Sequence, residues 1–205
     1  LKAGLLYQVN PMIKVSFAAH TPTFMGIEET WDEKLYAYYD NSANDTADFK
    51  YYDLAYNLIS PARLIAGASF LINNMVLIGL DYEAAAYQTM RLDGDSYNFS
   101  DENNDIEDSH AWRHAVRMGA ELKMGSVSLR GGGFYYTSPL KSGGSNLATY
   151  GASGGFGFRT GNFYCDLAYQ NMLTASKYYI DGTDAMGVDL DKSKSTFYAT
   201  FGLRF

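Results

Sequence analysis

The sequence predicts an all-β fold: an antiparallel transmembrane β-barrel to which this chain contributes about nine strands. Three observations predict it. Apolar side chains alternate with period two along nine segments, the spacing that sends successive side chains to opposite faces of a strand. Those segments run about 9 to 15 residues, against about 5 or 6 in an ordinary strand and about 9 to 11 in one that crosses a bilayer at a tilt. The connections alternate between tight turns and long acidic loops, as the two rims of a membrane barrel do.

The elements follow in order. Leu1–Val9 and Ile13–His20 alternate on either side of a turn at Asn10-Pro11. A connection of about 40 residues, Thr21 to Ser60, comes next. Arg63–Ile72 and Met75–Arg91 flank the turn Asn73-Asn74. In the second of these, Val76, Ile78, Leu80, Tyr82, Ala84 and Ala86 oppose Gly79, Asp81, Glu83, Tyr87 and Thr89. After a loop at 93–109, His110–Leu122 sets Trp112, His114, Val116, Met118, Ala120 and Leu122 against Arg113, Arg117, Gly119 and Glu121. The turn Met124-Gly125 leads into Ser126–Tyr136, where Val127, Leu129 and Tyr135 oppose Ser128, Arg130 and Gly132. A loop at 138–147 precedes Thr149–Arg159, and Gly161-Asn162 turns the chain again. Phe163, Cys165, Leu167 and Tyr169 then oppose Tyr164, Asp166, Ala168 and Gln170. The last loop, 180–193, ends in a strand where Phe197, Ala199, Phe201, Leu203 and Phe205 oppose Thr196, Tyr198, Thr200, Gly202 and Arg204.

Composition narrows the class. The 205 residues are expected to form a single β-barrel domain, 1–205, long enough to need no disulfide or metal staple. A net charge of −7 argues against a nucleic-acid partner. The lone Cys165 excludes an internal disulfide. Of 23 acidic residues, 18 fall in 28–48, 93–108 and 181–191, so the acids mark loops. Aromatic residues gather towards strand ends: Tyr51, Tyr52, Tyr56, Tyr135, Tyr136, Tyr178 and Tyr179 at the long-loop rim, and Phe70, Phe158, Phe163, Phe201 and Phe205 at the other. Two such girdles suit the two interfaces of a bilayer.

Family resemblance rests on an ordered series of motifs. His20-Thr-Pro-Thr23 closes one strand, and Ser60-Pro61 opens another that carries Gly67. Leu80-Asp-Tyr-Glu83, Arg117-Met-Gly-Ala-Glu121 and Tyr135-Tyr-Thr-Ser-Pro139 follow, then Gly155-Phe-Gly-Phe-Arg159 and Asp166-Leu-Ala-Tyr169. This series resembles the C-terminal portion of the FadL/TodX family of outer-membrane transport proteins, which carry long-chain fatty acids and other hydrophobic compounds, and is most similar to its Bacteroidetes-like versions. The resemblance implies a fourteen-strand barrel plugged by an N-terminal hatch. Neither the hatch nor the family's Asn-Pro-Ala motif is present in these residues. The chain is therefore expected to be truncated at its N-terminus, with the hatch and first strands missing. The terminal Phe201, Leu203 and Phe205 resemble the C-terminal signal that the barrel-assembly machinery reads.

The candidate site is a charge network. If the apolar faces meet lipid, Asp81, Glu83, Arg113, Arg117, Glu121, Arg130 and Asp166 face the lumen, where charges of both signs must pair. Other constellations are weaker. Asp101, Asn103 and Asp105 fit positions one, three and five of a calcium loop, but Ile106 stands where glycine is required and Trp112 where the bidentate Glu belongs. His110 and His114 share a strand face without a third zinc ligand. No catalytic triad can be assembled, so no enzyme, metal or cofactor is expected.

The expected function is passive uptake of hydrophobic small molecules, such as long-chain fatty acids, across the outer membrane of a Gram-negative bacterium. The expected partners are the lipid bilayer, a hydrophobic ligand and the barrel-assembly machinery. A small complete barrel with a structural or surface-adhesive role is the alternative, and a soluble lipid-binding β-protein the third. Pairing between the first and last strands separates the first two.

Overall fold

The structure is a computed structural model and describes residues 1–38, 44–141, 147–179 and 187–203. Its strands are β1 Lys2–Asn10, β2 Ile13–His20, β3 Phe24–Tyr38, β4 Asn44–Ile59, β5 Arg63–Ile72, β6 Val76–Ala86, β7 Arg91–Asp93, β8 Trp112–Met124, β9 Val127–Tyr136, β10 Thr149–Thr160, β11 Phe163–Tyr179 and β12 Gly187–Leu203. One helix, α1 Ser100–Ser109, and a 3-10 turn, Tyr87–Thr89, complete the described elements. No described helix is long and apolar enough to cross a membrane.

Nine strands form one sheet in the order β1-β2-β5-β6-β8-β9-β10-β11-β12. Each described pairing is antiparallel. The register keeps like faces together: Leu80 stands opposite Met118, and Asp81 opposite Arg117. The tight turns have the backbone their residues favour. Asn73 and Asn74 both take positive φ, 50° and 54°, the requirement of a type I′ hairpin. Gly125 and Gly161 lie at φ 58° and 51°, where a side chain would be strained. At the first hairpin, Asn10 Oδ1 accepts hydrogen bonds from the amides of Met12 and Ile13, each 2.9 Å. The turn residues here are Pro11-Met12, and at β8–β9 they are Gly125-Ser126, each one position later than the sequence pattern places them.

Apolar residues cover one face and remain exposed. Ile78, Leu80, Trp112, Val116, Met118, Leu129, Leu167, Phe197 and Phe201 are all exposed, Met118 at 62% and Phe197 at 79%. The buried hydrophobic core among the described residues is only Ala84, Ala85, Ala86, Phe99, Ala115 and Ala148. A soluble sandwich would turn that face onto a second sheet; this sheet has no such partner among the described residues. β1 and β12 are its edges and do not pair with each other there.

Several sequence expectations need correction. The 21–60 connection is mostly β3 and β4, a long hairpin that forms a second sheet with β7 in the order β3-β4-β7. Its apolar residues Phe24, Met25, Trp31 and Tyr36 are exposed at both odd and even positions, so no single-faced alternation marks it. The strand read as far as Arg91 stops at Ala86, and the chain turns through Tyr87–Thr89 into β7. The 93–109 loop contains α1, and β12 begins at Gly187, inside the 180–193 loop, whereas β11 ends at Tyr179, just before it. Tyr56 lies on β4 in the second sheet, and its ring packs on Phe99, centroids 5.3 Å apart. Tyr136 faces the charged side. Phe205 and Arg204 lie outside the described residues, as do the side chains of Tyr51, Tyr52, Tyr178 and Tyr179.

Candidate functional site

The charged side chains share one face because they occupy one parity of the alternation. Asp81 and Glu83 project from β6, Arg113, Arg117 and Glu121 from β8, Arg130 from β9 and Asp166 from β11. Two clusters result.

Arg117 is the centre of the first. Its Nη1 donates to Asp81 Oδ1 at 2.5 Å and its Nη2 to Glu83 Oε2 at 3.3 Å. Its Nε donates to the Tyr136 hydroxyl at 3.2 Å. The strand register produces this contact directly, since Asp81 and Arg117 are cross-strand partners. Gly67 lies on the other side of Asp81, and a Cβ there would sit 2.7 Å from Ser16 Oγ. Glu83 is the most buried of the carboxylates, with 13% of its side chain exposed. Arg113 has no carboxylate partner among the described ion pairs; its guanidinium lies over the Tyr136 ring, 4.9 Å from the centroid. A cation over an aromatic face is stabilised by the ring quadrupole.

Arg130 is the centre of the second. Its Nε donates to Glu121 Oε2 at 3.0 Å and its Nη1 to Asp166 Oδ1 at 2.5 Å. Glu121 is its neighbour in register, but Asp166 is two strands away.

Between the clusters the wall carries almost no side chains. Gly119 pairs with Gly132, which pairs with Ser153, which pairs with Gln170. A cavity of about 460 Å³ opens over this floor. Its sides are Arg117, Arg130, Phe134, Tyr136 and Tyr198. Phe134 and Tyr136 stack with centroids 5.0 Å apart and planes at 28°. The sequence reading missed this cavity, although the signal was present in Gly131-Gly132-Gly133 and Gly154-Gly155 on neighbouring strands.

The metal readings fail on geometry. Asp101, Asn103 and Asp105 lie in α1 rather than in a loop, and helical residues two apart do not share a face. Asn103 is engaged elsewhere: its Oδ1 accepts from the Leu92 amide at 2.8 Å and its Nδ2 donates to the Leu92 carbonyl at 2.9 Å. His110 ends α1, whereas His114 lies on β8 with its Nδ1 2.7 Å from the Tyr82 hydroxyl. No group of three metal-ligating side chains occurs among the described residues.

Comparison with known proteins adds the fold. No family model matches the sequence, and no curated protein matches it. Solved structures do. The chain is similar to the CymD monoaromatic hydrocarbon channel, with TM-score 0.59 and 16% identity over 100% of this chain and 51% of that one. It is similar to a Pseudomonas aeruginosa FadL homologue, with TM-score 0.62 and 13% identity over 98% and 50%. It is similar to the Ralstonia pickettii toluene transporter TbuX, with TM-score 0.57 and 17% identity over 100% and 47%. The chain thus has the fold of part of a FadL-type β-barrel and spans about half the length of these structures.

Proposed function

We propose that this chain is part of the wall of an outer-membrane channel for passive uptake of hydrophobic small molecules in a Gram-negative bacterium. The observation that carries the reading is the exposed apolar face of a nine-stranded sheet that no second layer covers. Leaving it in water would forgo about 25 cal/mol for every Å²; a bilayer removes that penalty. The opposite face, with Asp81, Glu83, Arg113, Arg117, Glu121, Arg130 and Asp166, then lines the lumen, where its ion pairs stiffen the wall. The names of the similar structures, two of them handlers of aromatic hydrocarbons, support a hydrophobic ligand. Long-chain fatty acids are the other candidate class.

The open edges support a chain that is the C-terminal portion of a larger barrel, truncated at its N-terminus. Unpaired backbone in lipid costs several kcal/mol for each group, so β1 and β12 need strands between them. A small complete barrel requires those two strands to pair, and the observed order lends it no support. Phe201 and Leu203, exposed on β12, would be read by the barrel-assembly machinery.

The test is flux. Proteoliposomes made with the protein should take up radiolabelled toluene or oleate faster than empty vesicles, without ATP or an ion gradient. No acceleration with either probe would overturn the reading.

A further inference from the structure

We infer that the cavity over β8–β12 is a binding station for an uncharged, flat molecule and that it rejects carboxylates. This rests on the reading of the chain as a channel wall. Its volume of about 460 Å³ lies within the usual range for a small-ligand site. The floor is flat because Gly119, Gly132 and Gly155 contribute no side chains, and the Phe134–Tyr136 stack stands beside it. A ring lying on that floor would meet backbone below and an aromatic face at its side.

Charge decides the ligand class. Both guanidinium groups at the cavity are already engaged: Arg117 with Asp81, Glu83 and Tyr136, and Arg130 with Glu121 and Asp166. Two arginines thus face four carboxylates. Arg113, over Tyr136, and Lys123 and Arg159, which line a separate pocket beside Glu121 and Asp166, stand outside the cavity lining. Lys192 and Lys194 pair in register with Thr174 and Met172, outside the cavity lining. An incoming carboxylate would lose its hydration and find no free cation in that lining. A neutral molecule loses little. Gln170 and Ser153, both in the lining, offer polar atoms to a hydroxyl or carbonyl.

The experiment compares two probes of nearly equal shape, 2-naphthalenemethanol and 2-naphthoate, by equilibrium dialysis at pH 7.5 against the protein in detergent, with protein-free micelles subtracted. The neutral probe should bind at least ~10-fold more tightly. Gly119→Leu should fill the cavity; a Cβ there meets only the Gly131 carbonyl, at 3.6 Å, so the backbone need not move. It should weaken the neutral probe by ~10-fold or more. Ala120→Leu, on the opposite face of the same strand and outside the cavity lining, should leave binding unchanged. Asp81→Asn with Glu83→Gln releases Arg117 and should raise naphthoate affinity. Equal binding of both probes, or equal effects of the two leucine variants, would overturn the station. Proteoliposome flux separates this from the channel reading: flux that ignores Gly119→Leu and probe charge overturns only the station, whereas absent flux of both probes overturns the channel itself.

Discussion

Arg130 on β9 reaches Asp166 on β11, 2.5 Å away, across the whole width of β10. The residue beneath the bridge is Gly157, the cross-strand partner of Asp166. A Cβ at Gly157 would lie 2.6 Å from Asp166 Oδ1 and 3.2 Å from Arg130 Nη1. The ion pair exists because the strand between its partners has no side chain at that point.

Gly157→Val should therefore separate Arg130 from Asp166. The pair is about one-third exposed, with side-chain accessibilities of 39% and 31%, so its loss should cost about 1–2 kcal/mol, between surface and buried values. Urea unfolding of the refolded protein in detergent measures this. Asp166→Asn should show little further loss in the Gly157→Val background, because both remove one interaction. Full additivity would sink the idea.

Arg117→Met should be more damaging than removal of either acid alone. It leaves Asp81 and Glu83 together without their shared cation, at a cost of about 2–4 kcal/mol. Adding Asp81→Asn and Glu83→Gln should recover most of that stability. The same unfolding assay checks both, and a triple variant no better than Arg117→Met counts against the network.

The two faces of β8 can be read by spin labels. A nitroxide at Met118→Cys, on the exposed apolar face, should relax faster with oxygen than with aqueous nickel in a bilayer. At Gly119→Cys the preference should reverse, because adjacent strand residues point to opposite faces. Matching accessibility at the two sites would exclude a lipid-facing wall.

Outside the wall, Tyr97 donates to Glu102 Oε1 at 2.8 Å. That hydrogen bond, followed by repulsion from the Glu102 charge, raises its pKa above the ordinary phenol value. The contact is present below the raised value and is lost as pH rises through it. The absorbance change removed by Tyr97→Phe should fall at higher pH than ordinary tyrosine ionisation, and Glu102→Gln should shift it downwards. No shift with Glu102→Gln would refute the assignment.

The sequence by itself determined the nine wall strands, their tight turns to within one residue, and, on β6, β8, β9, β11 and β12, which parity is apolar. All three are local: a period-two pattern is written in neighbouring residues, and turn residues carry their own backbone preferences. The β3–β4 hairpin was not legible, since a hairpin exposed on both faces has no reason to alternate. The calcium-like spacing, which already lacked the glycine and the bidentate Glu, falls in α1, which places residues 101, 103 and 105 by helical rather than loop geometry. Only the tertiary structure decided that Arg113 turns to an aromatic ring, that Arg130 bridges over Gly157, and that glycines from three strands make one floor. Each of these depends on register between residues far apart in the chain, which backbone pairing sets and local sequence does not.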